Sequence, residues 1–231
     1  MHPKRQALNP QSAFILGLIA GVGIFFIVGF FALLKPVLSG RTGISLSWLK
    51  LGGNKAPQAW VRGGRDAKVT VVEYSDLECP FCKQFHATMK QVINEYGGKV
   101  KWEFRHFPLT QLHPKAPKEA EAAECAGELG GNDAFWKFVD RVYEVTPGNN
   151  GLDPAELPKI AEYVGLKKQK FETCLSSGKY AAKVQAETAQ AQADGAQGTP
   201  YSLIVSGDKR TPVSGAVPLE SLKGMIEPLL K

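Results

Sequence analysis

Cys79-Pro80-Phe81-Cys82 stands between two segments of opposite periodicity, and that junction constrains the fold more than any other stretch of the 231 residues. Before it, Lys68 to Tyr74 (KVTVVEY) is a β-branched apolar run of strand length, ending in Ser75-Asp76-Leu77-Glu78. After it, Lys83 to Tyr96 sets Phe85, Met89, Val92 and Ile93 at helical spacing. The CxxC therefore opens a helix directly after a strand. At a helix start the first thiol meets free backbone N–H groups and the positive end of the helix dipole, both of which favour its thiolate. Cys79 is accordingly expected to be an exposed nucleophile. Cys82, one turn later on the covered side, is expected to attack a mixed disulfide at Cys79, because three-residue spacing keeps both sulfurs within one turn. Pro80 suits the first turn, where its missing N–H has no helical partner to lose. Half of a zinc site is the competing reading of a CxxC. It needs two further ligands, and Cys125 and Cys174 stand singly and far from the motif, so no metal is expected.

The remaining periodicities build outward from this junction. Lys99 to Phe107 (KVKWEFRHF) alternates Val100, Trp102, Phe104 and His106 on one face, a second strand. Helical patterns follow over 116–126, 135–143, 157–164, 169–175 and 181–193. Ser202 to Ser206 and Thr211 to Val217 are short strands around a Gly207-Asp208 turn, and Leu219 to Leu230 closes the chain as a helix. Strand, helix, strand, several helices, hairpin, helix is the order of an α/β thioredoxin fold with an inserted helical domain at about 115–192. Phe135, Trp136 and Phe138 are expected to pack in the core of that insert. His2, His86, His106 and His113 show no ligand spacing, and His86 and His106 are expected at the surface or core edge. Asp76 and Glu78 are expected to be solvated loop acids. Glu73 shares a strand face with Val69 and Val71, so its neighbours are apolar; a strand-end glutamate facing water is the alternative.

Charge separates the chain into two parts. Residues 1–58 carry Lys4, Arg5, Lys35, Arg41, Lys50 and Lys55 and no acid, so the formal charge of +6 belongs to that leader and the rest is neutral. No basic surface is implied for the domain, and nucleic acid is not an expected partner. Ala13 to Leu34 holds no ionisable group, and its 22 residues would make about 33 Å of helix, enough to cross a bilayer. The expected organisation is a cytoplasmic N-terminus over 1–12, a transmembrane anchor over 13–34, a Gly/Ser/Lys-rich linker over 35–58 and a globular domain over 59–231. A signal peptide cleaved after the Val37/Ser39 region, leaving a free periplasmic protein, is the alternative.

Several blocks occur in a telling order: Glu73 through Cys82, Arg105-His106-Phe107-Pro108-Leu109, His113-Pro114, Ala122-Ala123-Glu124-Cys125-Ala126, Phe135-Trp136 and Gly198-Thr199-Pro200. Over residues 59–231 they resemble the DsbA-like thiol-disulfide oxidoreductases, in particular the thioredoxin-like, membrane-anchored bacterial members. The resemblance implies a loop in which Thr199 faces the CxxC and Pro200 is cis, binding substrate together with Pro80 and Phe81. It implies that Glu73 is a buried acid that relays the proton of Cys82. It also implies a dithiol oxidase that introduces disulfides into exported cysteine-containing proteins, with no cofactor beyond its redox-active disulfide. A membrane redox partner would restore the CxxC, and the domain would face the periplasm or cell exterior from the inner membrane.

One departure matters. The best-known oxidases carry Pro-His where this chain has Pro80-Phe81, and Phe81 offers the Cys79 thiolate neither a hydrogen bond nor a positive charge. Disulfide reductase or isomerase is therefore the alternative direction, although 36–58 is too short for the dimerisation domain of known isomerases in this superfamily. A redox-inactive, membrane-anchored binding module or chaperone is the alternative of another class, and such modules often lose a cysteine or the Thr-Pro loop that this chain keeps. Cys125 and Cys174, both on helices of the insert, are expected to form a structural disulfide. Two buried free thiols are the alternative, since spacing does not establish connectivity.

Overall fold

The structure, a computed structural model, describes residues 59–231. Five strands, β1 (Trp60–Gly63), β2 (Val69–Ser75), β3 (Val100–His106), β4 (Tyr201–Ser206) and β5 (Lys209–Ser214), form one sheet in the order β1-β3-β2-β4-β5. β2 and β3 run parallel, joined by helix α1 (Pro80–Tyr96), and the other pairings are antiparallel. The helices α2 (Ala116–Val145), α3 (Glu156–Tyr163), α4 (Lys168–Ser176) and α5 (Ala181–Ala193) stand between β3 and β4, and α6 (Leu219–Leu230) ends the chain. This is the thioredoxin fold with a helical insertion that the periodicities imply. The anchor over 13–34 and the linker over 35–58 lie outside the described residues, among which no helix is long and apolar enough to cross a membrane.

Both faces of the sheet are covered, which is why β2 is a nearly continuous apolar run rather than an alternating one. On one face Val69, Val71, Trp102, Phe104 and Ile204 meet Phe85, Met89 and Val92 of α1 and Leu222 and Ile226 of α6. On the other, Val72, Tyr74 and Leu203 pack with Phe107, Ala191 and Tyr201. Each large apolar side chain buried this way contributes about 1.5–3 kcal/mol. The α1 stripe thereby fixes the helix whose N-terminus carries the CxxC. Gly97, at φ +53°, ends α1 in a conformation that L side chains rarely adopt.

Two features differ from the sequence reading. The patterns at 116–126 and 135–143 belong to one helical stretch, α2, broken only at Gly131, where φ +72° and ψ −167° are not helical. The edge strand β1 has no periodicity of its own to announce it. It is held by long-range contacts: Trp60 stacks on Phe135 at 4.6 Å, and Arg62 forms a two-pronged ion pair with Asp140 at 2.7 and 3.1 Å while lying over Trp136. Gly127 admits the Trp60 ring, since a Cβ there would come within 2.3 Å of it.

The structure joins Cys125 on α2 to Cys174 on α4 in a disulfide, with Cα atoms 5.8 Å apart and a sequence separation of 49. Closing a loop of that length is worth at most about 4 kcal/mol in the chain-entropy treatment. Phe135, Trp136 and Phe138 are buried in the core as expected. His86 and His106 are not at the surface: both are buried. His86 sits between Trp102 and Tyr143 with Nε2 2.7 Å from Asp140, because that acid reaches through the aromatic layer. His106 lies with Glu124 and Glu187, their ligand-type atoms within 4.8 Å of one another, a clustering that sequence spacing concealed. There Lys183 Nζ, 2.7 Å from Glu124 Oε2, supplies positive charge to the acids.

Candidate active site

The end of β2, the start of α1 and the loop before β4 converge on the two free cysteines, Cys79 and Cys82. Cys79 is the N-cap of α1, in extended conformation, and Pro80 occupies the first turn. Pro80 and Phe81 project to solvent, Phe81 at 63% exposure. The peptide bond Thr199–Pro200 is cis, and the Thr199 carbonyl accepts from Cys79 Sγ at 3.5 Å. Pro200 is buried, its carbonyl accepting from the Gly215 N–H at 2.8 Å, which ties the loop to the strand edge.

Contrary to the expectation of an open nucleophile, Cys79 is only 5% exposed in this dithiol state. The reason is that its sulfur points at the Thr199 loop rather than outward. Its thiol is lowered from 9.0 to about 6, first by the hydrogen bond from Cys82 and further by the backbone N–H groups of Cys82 and Phe81 and the Thr199 hydroxyl; burial opposes these. That hydroxyl has no other partner, so it is free to donate when a sulfur ionises. Cys82 is fully buried and moves the other way, well above the ordinary thiol range, first through burial and then through Cys79 and Glu73. The Asp76 N–H donates to its sulfur at 3.4 Å. Two thiols one turn apart thus differ sharply in acidity.

Glu73 is fully buried, as its shared face with Val69 and Val71 suggested. Its carboxylate accepts from Ser75 Oγ at 2.6 Å and Trp102 Nε1 at 2.8 Å. Burial raises it from 4.5 to about 7, and those two hydrogen bonds limit the rise. Ser75 Oγ lies 2.9 Å from the Tyr143 hydroxyl, which also reaches the Asp76 carbonyl at 3.2 Å. A continuous polar chain therefore runs from Glu73 to the backbone that contacts Cys82.

Asp76 and Glu78 are not the solvated loop acids expected from sequence: both are buried and fully engaged. Asp76 accepts from the N–H groups of Glu78 and Leu109, each at 2.8 Å, and pairs with His113 Nδ1 at 2.9 Å. Glu78 accepts from the N–H groups of Gly151 and Leu152 at 3.2 Å, and burial with the adjoining Glu78 carboxyl pushes Glu119 up to about 9. Short loops that double back on the motif consume these acids as acceptors for their own backbone, information that lies in tertiary structure. The one sequence signal was density: three acids within six residues of a cysteine, followed by an isolated His113-Pro114.

A model of the family described as thioredoxin matches residues 55–227. The chain belongs to that thioredoxin family. Among solved structures, this thioredoxin-family chain resembles DsbA2 of Pseudomonas aeruginosa with a TM-score of 0.66 and 27% identity, over 75% of this chain and 95% of that one. It also resembles oxidised BdbD of Bacillus subtilis, with a TM-score of 0.64 and 26% identity over 74% and 92% of the two chains. The likeness to DsbA-type oxidoreductases stated from the motifs is thus carried by the fold as well. Among curated proteins, Na(+)/H(+) antiporter NhaA 3 of Salinispora tropica is 37% identical over 144 residues, 62% of this chain but 21% of that protein. The chain spans about a fifth to a quarter of the length of the curated relatives that head the comparison.

Proposed function

We propose that the domain is a thiol-disulfide oxidoreductase working as a dithiol oxidase on exported, cysteine-containing proteins. In its oxidised state a substrate thiolate attacks Cys79 Sγ; the Cys79–Cys82 bond breaks, and Cys82 leaves and takes up a proton. A second substrate thiolate attacks the substrate sulfur of the mixed disulfide, Cys79 leaves as thiolate, and the substrate keeps the new disulfide. Two electrons pass from substrate to the CxxC, and a membrane redox partner accepts them to regenerate the disulfide.

The observation that carries this reading is the unequal placement of the two thiols: Cys79 caps α1 against the cis Thr199–Pro200 loop and Cys82 is fully buried one turn on, which lowers the first to about 6 and raises the second. A low value makes Cys79 a good leaving group toward substrate, and a high one makes Cys82 a sulfur that must be protonated as it departs. Pro80, Phe81, Thr199 and Pro200 are the proposed substrate contacts, with the Thr199 backbone presenting a polar edge beside the reacting sulfur. The test is direct: the oxidised protein mixed with a reduced, unfolded multi-thiol protein should consume substrate thiols in proportion to its own disulfide. Reduction of insulin without any such oxidation would support the reductase direction instead.

The proposed task of Glu73 is to pass the proton to and from Cys82. Because its folded value lies above its ordinary 4.5, folding favours its protonated form, so its contribution to stability falls as pH rises from about 4.5 through 7. Glu73→Gln should therefore slow exchange by about 10-fold or more while leaving the fold intact. Trp102 keeps an acceptor in the new amide, and the Ser75 hydroxyl can turn to accept from its NH2. The variant should match the parent in melting at pH 4 and exceed it at pH 8, by up to about 3 kcal/mol. Marked destabilisation at pH 8 would mean that the carboxylate is held by a structural charge partner.

We also propose that residues 13–34 anchor the domain outside the cytoplasm, where a structural disulfide persists. After mild reduction, Cys79 should then react with a membrane-impermeant thiol reagent in intact spheroplasts; labelling only after lysis would contradict this.

A further inference from the structure

Phe81 offers the Cys79 sulfur neither a hydrogen bond nor a charge, and the fold brings a titratable side chain to the motif by another route. His113, in the loop between β3 and α2, is 6% exposed, and its Nδ1 lies 2.9 Å from Asp76 Oδ2. Asp76 in turn grips the motif at three points. Its carbonyl accepts from the Cys79 N–H at 3.1 Å, its N–H donates to Cys82 Sγ at 3.4 Å, and its Oδ1 accepts from the Glu78 N–H at 2.8 Å. The backbone of Asp76 thus contacts both cysteines, and its buried carboxylate ties down the turn that leads into them.

Such a carboxylate would oppose a nearby thiolate unless its charge were balanced. The other ionisable side chains around it do not balance it: Glu73 on β2, Glu78 in the turn and Glu119 on α2 are acids, and Tyr143 contributes only a hydroxyl. Lys115 directs its ammonium to the carbonyls of Asn150 and Leu152 at 2.7 and 2.9 Å. His113 is the group in direct contact with the Asp76 carboxylate that can carry positive charge. Burial alone would lower it, but the bond and charge of Asp76 outweigh burial and raise it, with Asn149 and the Cys79 thiolate acting in the same direction.

We propose that His113 is a positioning residue of the redox site, supplying through Asp76 the positive charge that sustains the Cys79 thiolate and that the Pro-Phe dipeptide does not provide. The proposal rests on the reading of Cys79 as the reacting sulfur, but not on the direction of exchange.

His113→Asn separates charge from hydrogen bonding, since the amide keeps an N–H donor toward Asp76. Followed by thiolate absorbance against pH, Cys79 should show about 10-fold less thiolate below its midpoint than in the parent. The reduction potential should fall by about 30 mV, the equivalent of that factor for a two-electron couple. A folded variant with the parent's titration and potential overturns the proposal. If the variant does not fold, the parent answers by reciprocity: the NMR titration of the His113 ring must lie higher in the dithiol, where Cys79 carries charge, than in the disulfide. Equal titrations in the two states overturn it. Loss of exchange activity in the parent would instead count against the oxidoreductase reading and leave this coupling measurable.

Discussion

Cys79→Ser is expected to reduce thiol-disulfide exchange to the uncatalysed background, a loss on the order of 10³-fold or more. Serine has the same reach but cannot form a disulfide, so neither the mixed disulfide nor the Cys79–Cys82 bond can be made. Cys82→Ser is expected to behave differently. Its Cys79 keeps the helix N-terminus, the backbone N–H groups of Phe81 and Cys82 and the Thr199 loop, all of which favour the thiolate. It loses the Cys82 thiol, the largest single cause of the low Cys79 value, though a serine hydroxyl can donate in its place. Attack on a substrate disulfide should therefore continue while release through the second sulfur stops. Mixed disulfides on Cys79 should accumulate and be visible on non-reducing gels. If the Cys82→Ser protein collects none under conditions in which the parent turns over, the roles assigned to the two cysteines are wrong.

The second large effect concerns the stability of the two redox states. Folding depresses Cys79 from 9.0 to about 6, so the thiolate contributes stability that is complete above pH 9 and lost as pH falls through about 6. Only the dithiol can collect that contribution. The reduced protein should consequently melt above the oxidised one at pH 7 and higher, and the gap should narrow as pH falls towards 6. Thermodynamic linkage makes this the same quantity as oxidising power: each 30 mV of potential corresponds to about 1.4 kcal/mol between the two states. An oxidised form that melts higher at every pH would remove the basis for an oxidase.

What could be read from the sequence was whatever local periodicity and spacing encode. The strand before Cys79, the helix after it and the hairpin around Gly207-Asp208 all stand within about three residues of their expected places, because β-branched runs, helical spacing and turn residues act locally. Glu73 was legible because its alternation with Val69 and Val71 put it on a buried face. Asp76 and Glu78 were not, since an acid in a polar loop looks solvated until other loops bring their N–H groups to it. His113 is the sharpest instance. It lies 34 positions after Cys79, and only the fold places it against the carboxylate of the aspartate that grips the motif. The burial of Cys79 was not legible either, because the Thr199 loop that its sulfur meets arrives 120 residues later.

The most direct test of a dithiol oxidase built on this asymmetric pair is a glutathione redox titration of the full chain, read by the fraction of Cys79–Cys82 disulfide at equilibrium. Phe81 withholds polar stabilisation from the thiolate, whereas the helix N-terminus, Thr199 and the His113–Asp76 pair remain, so the expected potential lies at roughly −120 to −220 mV, on the oxidising side of thioredoxin. A potential near roughly −270 mV, with the disulfide form the more stable, would mark a reductase and contradict the oxidase assignment.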